Sequence, residues 1–208
     1  MSRGGRVILA VTGASGAIYP ERLFKALIEA GYGVEFILSP YGARLMKDER
    51  DLPGDAKKCV DALCTRYRLA PAEGQVVCHA HQDTGASIAS GTYPTLGMAV
   101  VPTSLHTVGA LAAGLGGNLI ERAAAVTLKE RRPLVIVPRE TPLNRIQLEN
   151  LLRLHDAGAT ILPADPGFYQ KPKTFEDLGD FIAARIMDHL DLEPRTDLVP
   201  RWDPKGTA

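Results

Sequence analysis

Short apolar runs rich in β-branched residues alternate along this chain with segments in which apolar residues recur at helical spacing. The clearest runs are residues 6–11, 34–38, 97–101 and 134–137, and each has the length of a buried strand. Residues 17–30, between the first two, carry leucines and alanines on one helical face. Strands joined through helices run parallel, and the helices cover both faces of the sheet. The sequence therefore predicts an α/β protein with a single doubly wound parallel sheet.

The remaining elements continue the same alternation without a linker or an internal repeat. A helix begins after Ser39, because Ser39 can cap it and Pro40 suits its first position. We therefore expect one domain over residues 1–190, followed by an extended tail over 191–208 that packs on a neighbouring subunit. Further helices are predicted at 51–63, 104–114, 119–130, 145–157 and 174–190, and further strands at 75–79 and 159–162.

The charge balance argues against classes of protein that need an excess of one sign. Lys and Arg number 24, as do Asp and Glu, so the basic surplus of a non-specific nucleic-acid binder is missing. No apolar run approaches the ~20 residues of a membrane span, and the first apolar run is too short for a signal peptide. We expect a cytoplasmic protein with no nucleic-acid or membrane partner.

The cysteines and histidines give neither a disulfide pattern nor a metal pattern. Cys59, Cys64 and Cys78 are odd in number and lack C-x-x-C spacing, which fits a reducing compartment. His79 and His81 would share one face of a strand, but no further ligands accompany them. We therefore predict structural or exposed histidines and no bound metal.

A glycine-rich turn, TGASG at residues 12–16, separates the first strand from the first helix. Backbone N–H groups in such a turn can bind an anion, although glycines also serve tight strand-to-helix connections. Ser39, at the end of the second strand, could contact a ligand as well as cap a helix. Ser104 and Thr107 have the spacing of an N-cap and the third helical residue, a position that either holds phosphate or only caps.

Two charged residues follow the strand at 134–137, which ends in a proline. Arg139 and Glu140 are adjacent there, and ligands of open α/β sheets bind at the carboxyl ends of strands. Arg122 and Lys129 are two helical turns apart and share a helix face. With Arg139 they could form a cation cluster suited to a phosphate leaving group, or each could be a solvated surface charge.

Taken together, several segments resemble the UbiX-like flavin prenyltransferases. The matches follow the family order from the first strand to the tail and leave out mainly residues 50–89. The most specific block runs from Leu-Lys-Glu-Arg-Arg to Pro-Arg-Glu-Thr-Pro. The matching segments are TGASGAIY at 12–19, SGT at 90–92, PTSLHT at 102–107, NLIERAAAVTLKERRPLVIVPRETP at 118–142, LENLL at 148–152, GATILPADPGFY at 158–169 and PRW at 200–202.

The resemblance implies a Rossmann/flavodoxin-like fold and a metal-independent transferase that binds FMN. Family members join a dimethylallyl group, taken from dimethylallyl monophosphate, to N5 and C6 of reduced FMN. The product, prenylated FMN, is the cofactor of UbiD-type decarboxylases, and such an enzyme would receive it here. Members usually assemble as homododecamers whose sites are shared between subunits.

The family motifs, matched residue by residue, imply the site residues of this chain. Ser15 would lie beside the reacting N5 edge, Glu49 would handle a proton, and Trp202 would close the pocket. The implied catalytic residues are Ser15, Glu49, Lys129, Arg139 and Glu140. The implied FMN-binding residues are Gly13, Ala14, Ser15, Ser39, Ser90, Ser104, Leu105, His106, Thr107 and Arg139. The implied prenyl-phosphate residues are Arg122, Lys129, Arg139, Glu140, Tyr169, Arg185 and Trp202.

Two other functions stay open as alternatives. Related flavoproteins decarboxylate a C-terminal cysteine, but they carry an asparagine in a Pro-x-Met-Asn segment and a histidine near the first helix. This chain has PTSLHT in that segment and no histidine before residue 79. A non-catalytic flavin carrier would instead bind FMN, ignore the prenyl phosphate and deliver the cofactor to a partner decarboxylase.

Overall fold

A computed structural model describes residues 4–200 and contains one six-stranded sheet. The strands are β1 (Arg6–Val11), β2 (Gly33–Leu38), β3 (Val76–His79), β4 (Gly97–Thr103), β5 (Leu134–Pro138) and β6 (Thr160–Ile161). Their order is β3-β2-β1-β4-β5-β6, and all neighbouring pairs are parallel. The chain starts in the middle and winds first to one edge and then to the other, which confirms the doubly wound prediction.

Helices cover both faces of the sheet, as the alternating pattern predicts. They are α1 (Ile18–Glu29), α2 (Pro40–Arg50), α3 (Ala56–Tyr67), α4 (Leu105–Ala112), α5 (Leu119–Lys129), α6 (Arg145–Asp156) and α7 (Phe175–His189). The prediction of a helix at 51–63 misplaced α3 by about a turn. The helix starts later because Asp55 caps it, accepting a hydrogen bond from the Lys58 amide at 2.9 Å.

The alternation of side chains along β1 shows how the two layers of core arise. Val7, Leu9 and Val11 face one side of the sheet, where α1, α2, α3 and α7 pack. Ile8 and Ala10 face the other side, against α4, α5 and α6. Because β1 is buried on both faces, its sequence is a continuous apolar run rather than an alternating one.

The strand β4 extends past the proline that was expected to end it. Its pairing with β5 shifts register between Val100 and Thr103, so Pro102, which has no N–H, falls at an irregularity in the ladder. The Pro102 carbonyl accepts hydrogen bonds from the Thr12 amide and hydroxyl at 3.2 and 2.8 Å. The carboxyl ends of β1 and β4 are thereby held together.

Residues 191–200 form turns and bends without helix or strand. Leu192 is buried and Leu198 packs against the core of the same chain, while the Glu193 amide donates to the Tyr32 hydroxyl at 3.1 Å. Trp202 lies outside the described residues, and tail packing on a neighbouring subunit stays a prediction. Over residues 4–200, none of the helices has both the length and the apolar character needed to cross a membrane.

Candidate functional site

A cleft of about 580 Å³ opens at the carboxyl ends of β1, β2 and β4. The winding direction of the chain reverses between β1 and β4, and doubly wound sheets bind their ligands at that reversal. The volume lies within the usual range for small-molecule sites. The cleft is lined by Thr12, Gly13, Ser39, Pro40, Tyr41, His81, Ser104, His106, Thr107, Asn118, Ile120 and Glu121.

The turn after β1 is tight for steric reasons and also faces the cleft. A side chain at Gly13 would collide with the Cβ of Tyr41. Gly16 has a φ of +125°, a conformation that glycine adopts readily and other residues rarely do. The Thr12 hydroxyl accepts from the Ser104 amide at 2.7 Å, so this turn and the start of α4 have a fixed relative position.

Two serines cap helices and line the cleft as well. The Ser39 hydroxyl accepts from the Gly42 amide at 3.0 Å, and the Ser104 hydroxyl accepts from the Thr107 amide at 3.3 Å. Both capping interpretations are therefore confirmed. The amides of the first turn of α4 lack carbonyl partners within the helix. Those of Leu105 and His106 can therefore serve an anion in the cleft.

The structure brings Ser15, Glu49 and Arg139 together at the carboxyl edge of the sheet. The Arg139 Nε donates to the Ser15 carbonyl at 2.9 Å. The Glu49 Oε2 accepts from the amides of Gly16 and Ala17, both at 2.9 Å. Arg139, which follows β5, and Glu49, near the end of α2, thus bind the backbone of successive residues, 15 to 17, in one turn.

Tyr19, for which the sequence predicted no role, borders this group. Its ring lies against Gly16, where an added Cβ would be 2.6 Å from the Tyr19 Cε2. Burial and then Asp165 raise the pKa of Tyr19, and Glu49 adds to the rise, while Arg139 opposes it. The phenol therefore keeps its proton at neutral pH.

The far wall of the cleft consists of residues that were not predicted from the sequence to belong to a site. His81 was predicted to be structural or exposed, yet it lines the cleft together with Asn118 and Glu121. Burial lowers the pKa of His81, with partial opposition from Glu121, so the imidazole is neutral at pH 7. Glu121 accepts from the Gly117 amide and the Asn118 side chain, both at 2.7 Å. The N-cap signal at Asn118 could have marked this wall.

The predicted cluster of Arg122, Lys129 and Arg139 does not form within one chain. Lys129 ends α5 just before β5, and Arg139 follows β5, a strand whose five residues rise about 16 Å. Lys129 pairs with Glu130 instead. Arg122 and Lys129 are both exposed on α5, in agreement with a shared face.

Three further expected site residues lie beside other parts of the fold. Ser90 belongs to the turn that contacts Lys129. Tyr169 meets the Phe181 ring edge-on at 6.1 Å between centroids, and Arg185, one turn along α7, donates to Asp188 at 2.7 Å. Among residues 4–200, no set of three or more His, Cys, Asp or Glu side chains could hold a metal ion.

Comparison with known proteins shows the family. The model of the Flavoprotein family matches residues 1–187. The flavin prenyltransferase UbiX of Halalkalibacterium halodurans is 45% identical over 199 residues, which cover 95% of this chain and 93% of that protein. The UbiX of Pseudomonas aeruginosa is 45% identical over 203 residues, with coverages of 97% and 96%. The chain belongs to the UbiX flavin prenyltransferase family.

Solved structures confirm the flavodoxin-like fold of this UbiX-family chain. AnUbiX (PadA1), crystallised with FMN and dimethylallyl pyrophosphate, has a TM-score of 0.83 and 36% identity, with coverages of 97% of this chain and 98% of that one. A dodecameric FMN-dependent UbiX-like decarboxylase from Escherichia coli O157:H7 has a TM-score of 0.81 and 34% identity, with coverages of 95% and 99%.

Proposed function

We propose that this chain is a flavin prenyltransferase, which transfers a dimethylallyl group from dimethylallyl monophosphate to reduced FMN. The observation that carries the proposal is the convergence of Ser15, Glu49 and Arg139 at the reversal point of the sheet. Its product would serve a UbiD-type decarboxylase in the cytoplasm. Cys59, Cys64 and Cys78, all free thiols, are compatible with that reducing compartment.

The chemistry of the cleft fits FMN. Its hydroxyls at Ser39, Ser104 and Thr107 and the free amides at the start of α4 can bind phosphate and ribityl oxygens. The close approach at Gly13 lets a ligand reach the backbone. Bound FMN supplies the two nucleophilic atoms, N5 and C6. The residues that would hold it are Gly13, Ala14, Ser15, Ser39, Ser90, Ser104, Leu105, His106, Thr107 and Arg139.

The side chains of this protein would supply charge and proton transfer. The carbon–oxygen bond of the prenyl donor breaks as phosphate leaves, so fixed cations such as Arg139 and Lys129 would neutralise the departing charge. Joining the group at a second position needs one proton added to its double bond and one removed from C6, so Glu49 or Glu140 would carry a proton between these two positions. Arg122, Tyr169, Arg185 and Trp202 would complete the prenyl-phosphate site.

We propose further that the site is completed by other copies of this chain in a homododecamer. Lys129 precedes β5 and Arg139 follows it, so the two cations lie toward opposite ends of that strand. Within a single chain, the half of the site that contains Lys129 is therefore separate from the half that contains Arg139. The dodecameric relative from Escherichia coli O157:H7 supports an assembly in which two copies contribute the two halves.

Anaerobic incubation with reduced FMN and dimethylallyl monophosphate tests the proposed activity. We expect a flavin whose mass equals that of reduced FMN with one hydrogen replaced by a dimethylallyl group, together with one inorganic phosphate for each flavin converted. Lys129→Ala should still bind FMN but lose turnover. If the unmodified protein binds FMN but forms no prenylated product, the transferase function is contradicted and the flavin-carrier function is favoured. A parallel reaction with the diphosphate identifies the preferred donor.

A further inference from the structure

Arg132, in the connection between α5 and β5, makes two hydrogen bonds to the turn that contains Ser90. Its Nη2 donates to the Gly91 carbonyl at 2.7 Å, and its Nη1 donates to the Tyr93 carbonyl at 2.8 Å. A guanidinium is a rigid planar fork. Two hydrogen bonds from one fork fix both the position and the tilt of this turn.

A buried carboxylate anchors the same segment from the sheet. The Tyr93 hydroxyl donates to the Glu35 Oε1 at 2.6 Å. Glu35 is fully buried in β2 and also contacts Arg6 and His79. Because a hydrogen bond to a buried charged group contributes to stability, movement of Tyr93 away from Glu35 is disfavoured. The turn is therefore held from two independent directions.

Gly91 is the point at which the turn meets Lys129. A Cβ at Gly91 would be 2.6 Å from the Lys129 Nζ and would overlap the Glu130 carboxylate. The Lys129–Glu130 pair thus packs against the backbone of Gly91, and the carbonyl of Gly91 accepts the hydrogen bond from Arg132. A displacement of the turn would change the position of Ser90 relative to the Lys129 ammonium, and misplacement by about 1 Å can cost a hundredfold in rate.

We propose that Arg132 is a positioning residue, which sets the distance between Ser90 and Lys129 and so prepares this half of the site for the donor phosphate. The inference rests on the proposed function, because it takes Lys129 as a phosphate-binding cation. Arg132 acts through the backbone of Gly91 and Tyr93 rather than by touching donor or flavin. The side chains of Ser90 and Thr92, whose hydroxyls lie 3.0 Å apart, would be oriented with the turn.

The variant Arg132→Lys tests this role, because it keeps the positive charge and removes the fork. We expect the KM for dimethylallyl monophosphate to rise about tenfold and kcat to fall as well, because Lys129 is taken both to bind the donor and to neutralise the departing phosphate. FMN affinity and the thermal midpoint should change little. Arg131→Lys is the matched control, since Arg131 is the adjacent exposed arginine, and its KM should equal that of the unmodified enzyme. Tyr93→Phe removes the hydroxyl that bonds to Glu35 and Ser87 and leaves the Arg132 fork intact, so it should raise the KM in the same direction by a smaller factor.

A second measurement separates failure of this inference from failure of the proposed function. The rate at which acetic anhydride acylates Lys129, followed by mass spectrometry, does not depend on turnover. Arg132→Lys should change that rate by at least twofold, and Arg131→Lys should leave it unaltered. An unchanged acylation rate or an unchanged KM in Arg132→Lys would overturn the positioning role, as would equal loss of FMN affinity and thermal stability. Absence of prenylated FMN from the unmodified protein would refute only the proposed function.

Discussion

Glu49 caps the amino end of α1 from a distant part of the chain. Within the described residues, the N-cap residue of α1 is Ala17, whose side chain makes no capping hydrogen bond. The Glu49 carboxylate, near the end of α2, accepts from two amides of that turn. A negative charge there is favourable because the helix dipole places partial positive charge at the amino end. At the residue scale, one side chain therefore serves both the fold and the candidate site beside Gly13.

Replacement of Glu49 by glutamine separates these two contributions. The amide oxygen in Glu49→Gln can still accept from the turn, so we expect a loss of stability of about 0.3–1 kcal/mol. The rate of prenylated FMN formation should fall by about 10²–10⁴, the usual range for loss of a general acid or base. The measurement is single-turnover product formation with FMN saturating.

Glu149→Gln is the control for Glu49→Gln, because Glu149 is an exposed helical carboxylate paired with Arg145. It should leave the rate unchanged. A Glu49→Gln enzyme as fast as this control would exclude Glu49 from proton transfer.

At the scale of elements, the starts of α4 and α6 are built alike but lie in different surroundings. Ser104 caps α4 inside the cleft. Asn144 caps α6 with a complete capping box that includes Gln147, and neither residue lines the cleft. The two helices therefore allow the structural effect of a cap to be measured separately from its effect on ligand binding.

Ser104→Ala and Asn144→Ala should each lower the free energy of unfolding by about 0.5–2 kcal/mol, because each exposes an uncapped helix terminus. Only Ser104→Ala should also weaken FMN binding, by about tenfold for the loss of one hydrogen bond to a charged group. Chemical denaturation and fluorescence titration with FMN check the two effects. Equal FMN affinity in the two variants would mean that Ser104 is a cap alone.

At the scale of the whole molecule, buried carboxylates link separate helices. Glu21 of α1 is fully buried and accepts from Arg50 of α2 and from Arg66 and Tyr67 of α3. Burial alone would raise the pKa of Glu21, but hydrogen bonds from Arg50, Tyr67 and Arg66 outweigh it and hold the pKa below the ordinary value. The ionised form is thus favoured by folding.

This shift predicts a loss of stability in acid. A folded-state pKa below the unfolded value of about 4.3 gives stabilisation that is complete above that pH and is lost as the pH falls through the folded pKa. Glu21→Gln should lower the free energy of unfolding at pH 7 by about 1–3 kcal/mol, and the difference from the unmodified protein should shrink below pH ~4. Denaturant unfolding between pH 3 and pH 7 measures it.

The control for Glu21→Gln is Glu29→Gln, in which a partly exposed pair with Lys25 is lost. Its effect should be about 0.3–0.5 kcal/mol with little pH dependence. A difference between Glu21→Gln and the unmodified protein that stays constant down to pH 3 would contradict the assignment to the ionised carboxylate.

Assembly of the site from two copies has its own test. Lys129→Ala and Arg139→Ala should each be inactive, since each removes one half of the cation set. Co-expressed in equal amounts, they should recover about a quarter of the unmodified activity, because random mixing leaves that fraction of shared sites intact. Product formation by the purified mixed oligomers checks this, with each variant expressed alone as the control. No recovery in verified mixed oligomers would place both residues in one chain's site.

Much of the fold could be predicted from local patterns. The strands β1 and β5 are apolar runs, and β2 is apolar apart from Gly33 and Glu35, because the sheet buries both of their faces. Ser39-Pro40 marks the start of α2 with two independent signals. The start of α3 and the end of β4 were misplaced. In the first case a cap at Asp55 determined the start, and in the second a register irregularity accommodated Pro102.

The sequence by itself determined the doubly wound class, the glycine turn after β1, the helix caps and, through family resemblance, the set of expected site residues. These depend on local sterics and on residue order. Only the tertiary structure decided which of those residues meet. Ser15, Glu49 and Arg139 converge through crossover connections, whereas the length of β5 separates Lys129 from Arg139. Proximity between distant segments depends on strand order and packing, which residue spacing along the chain does not encode.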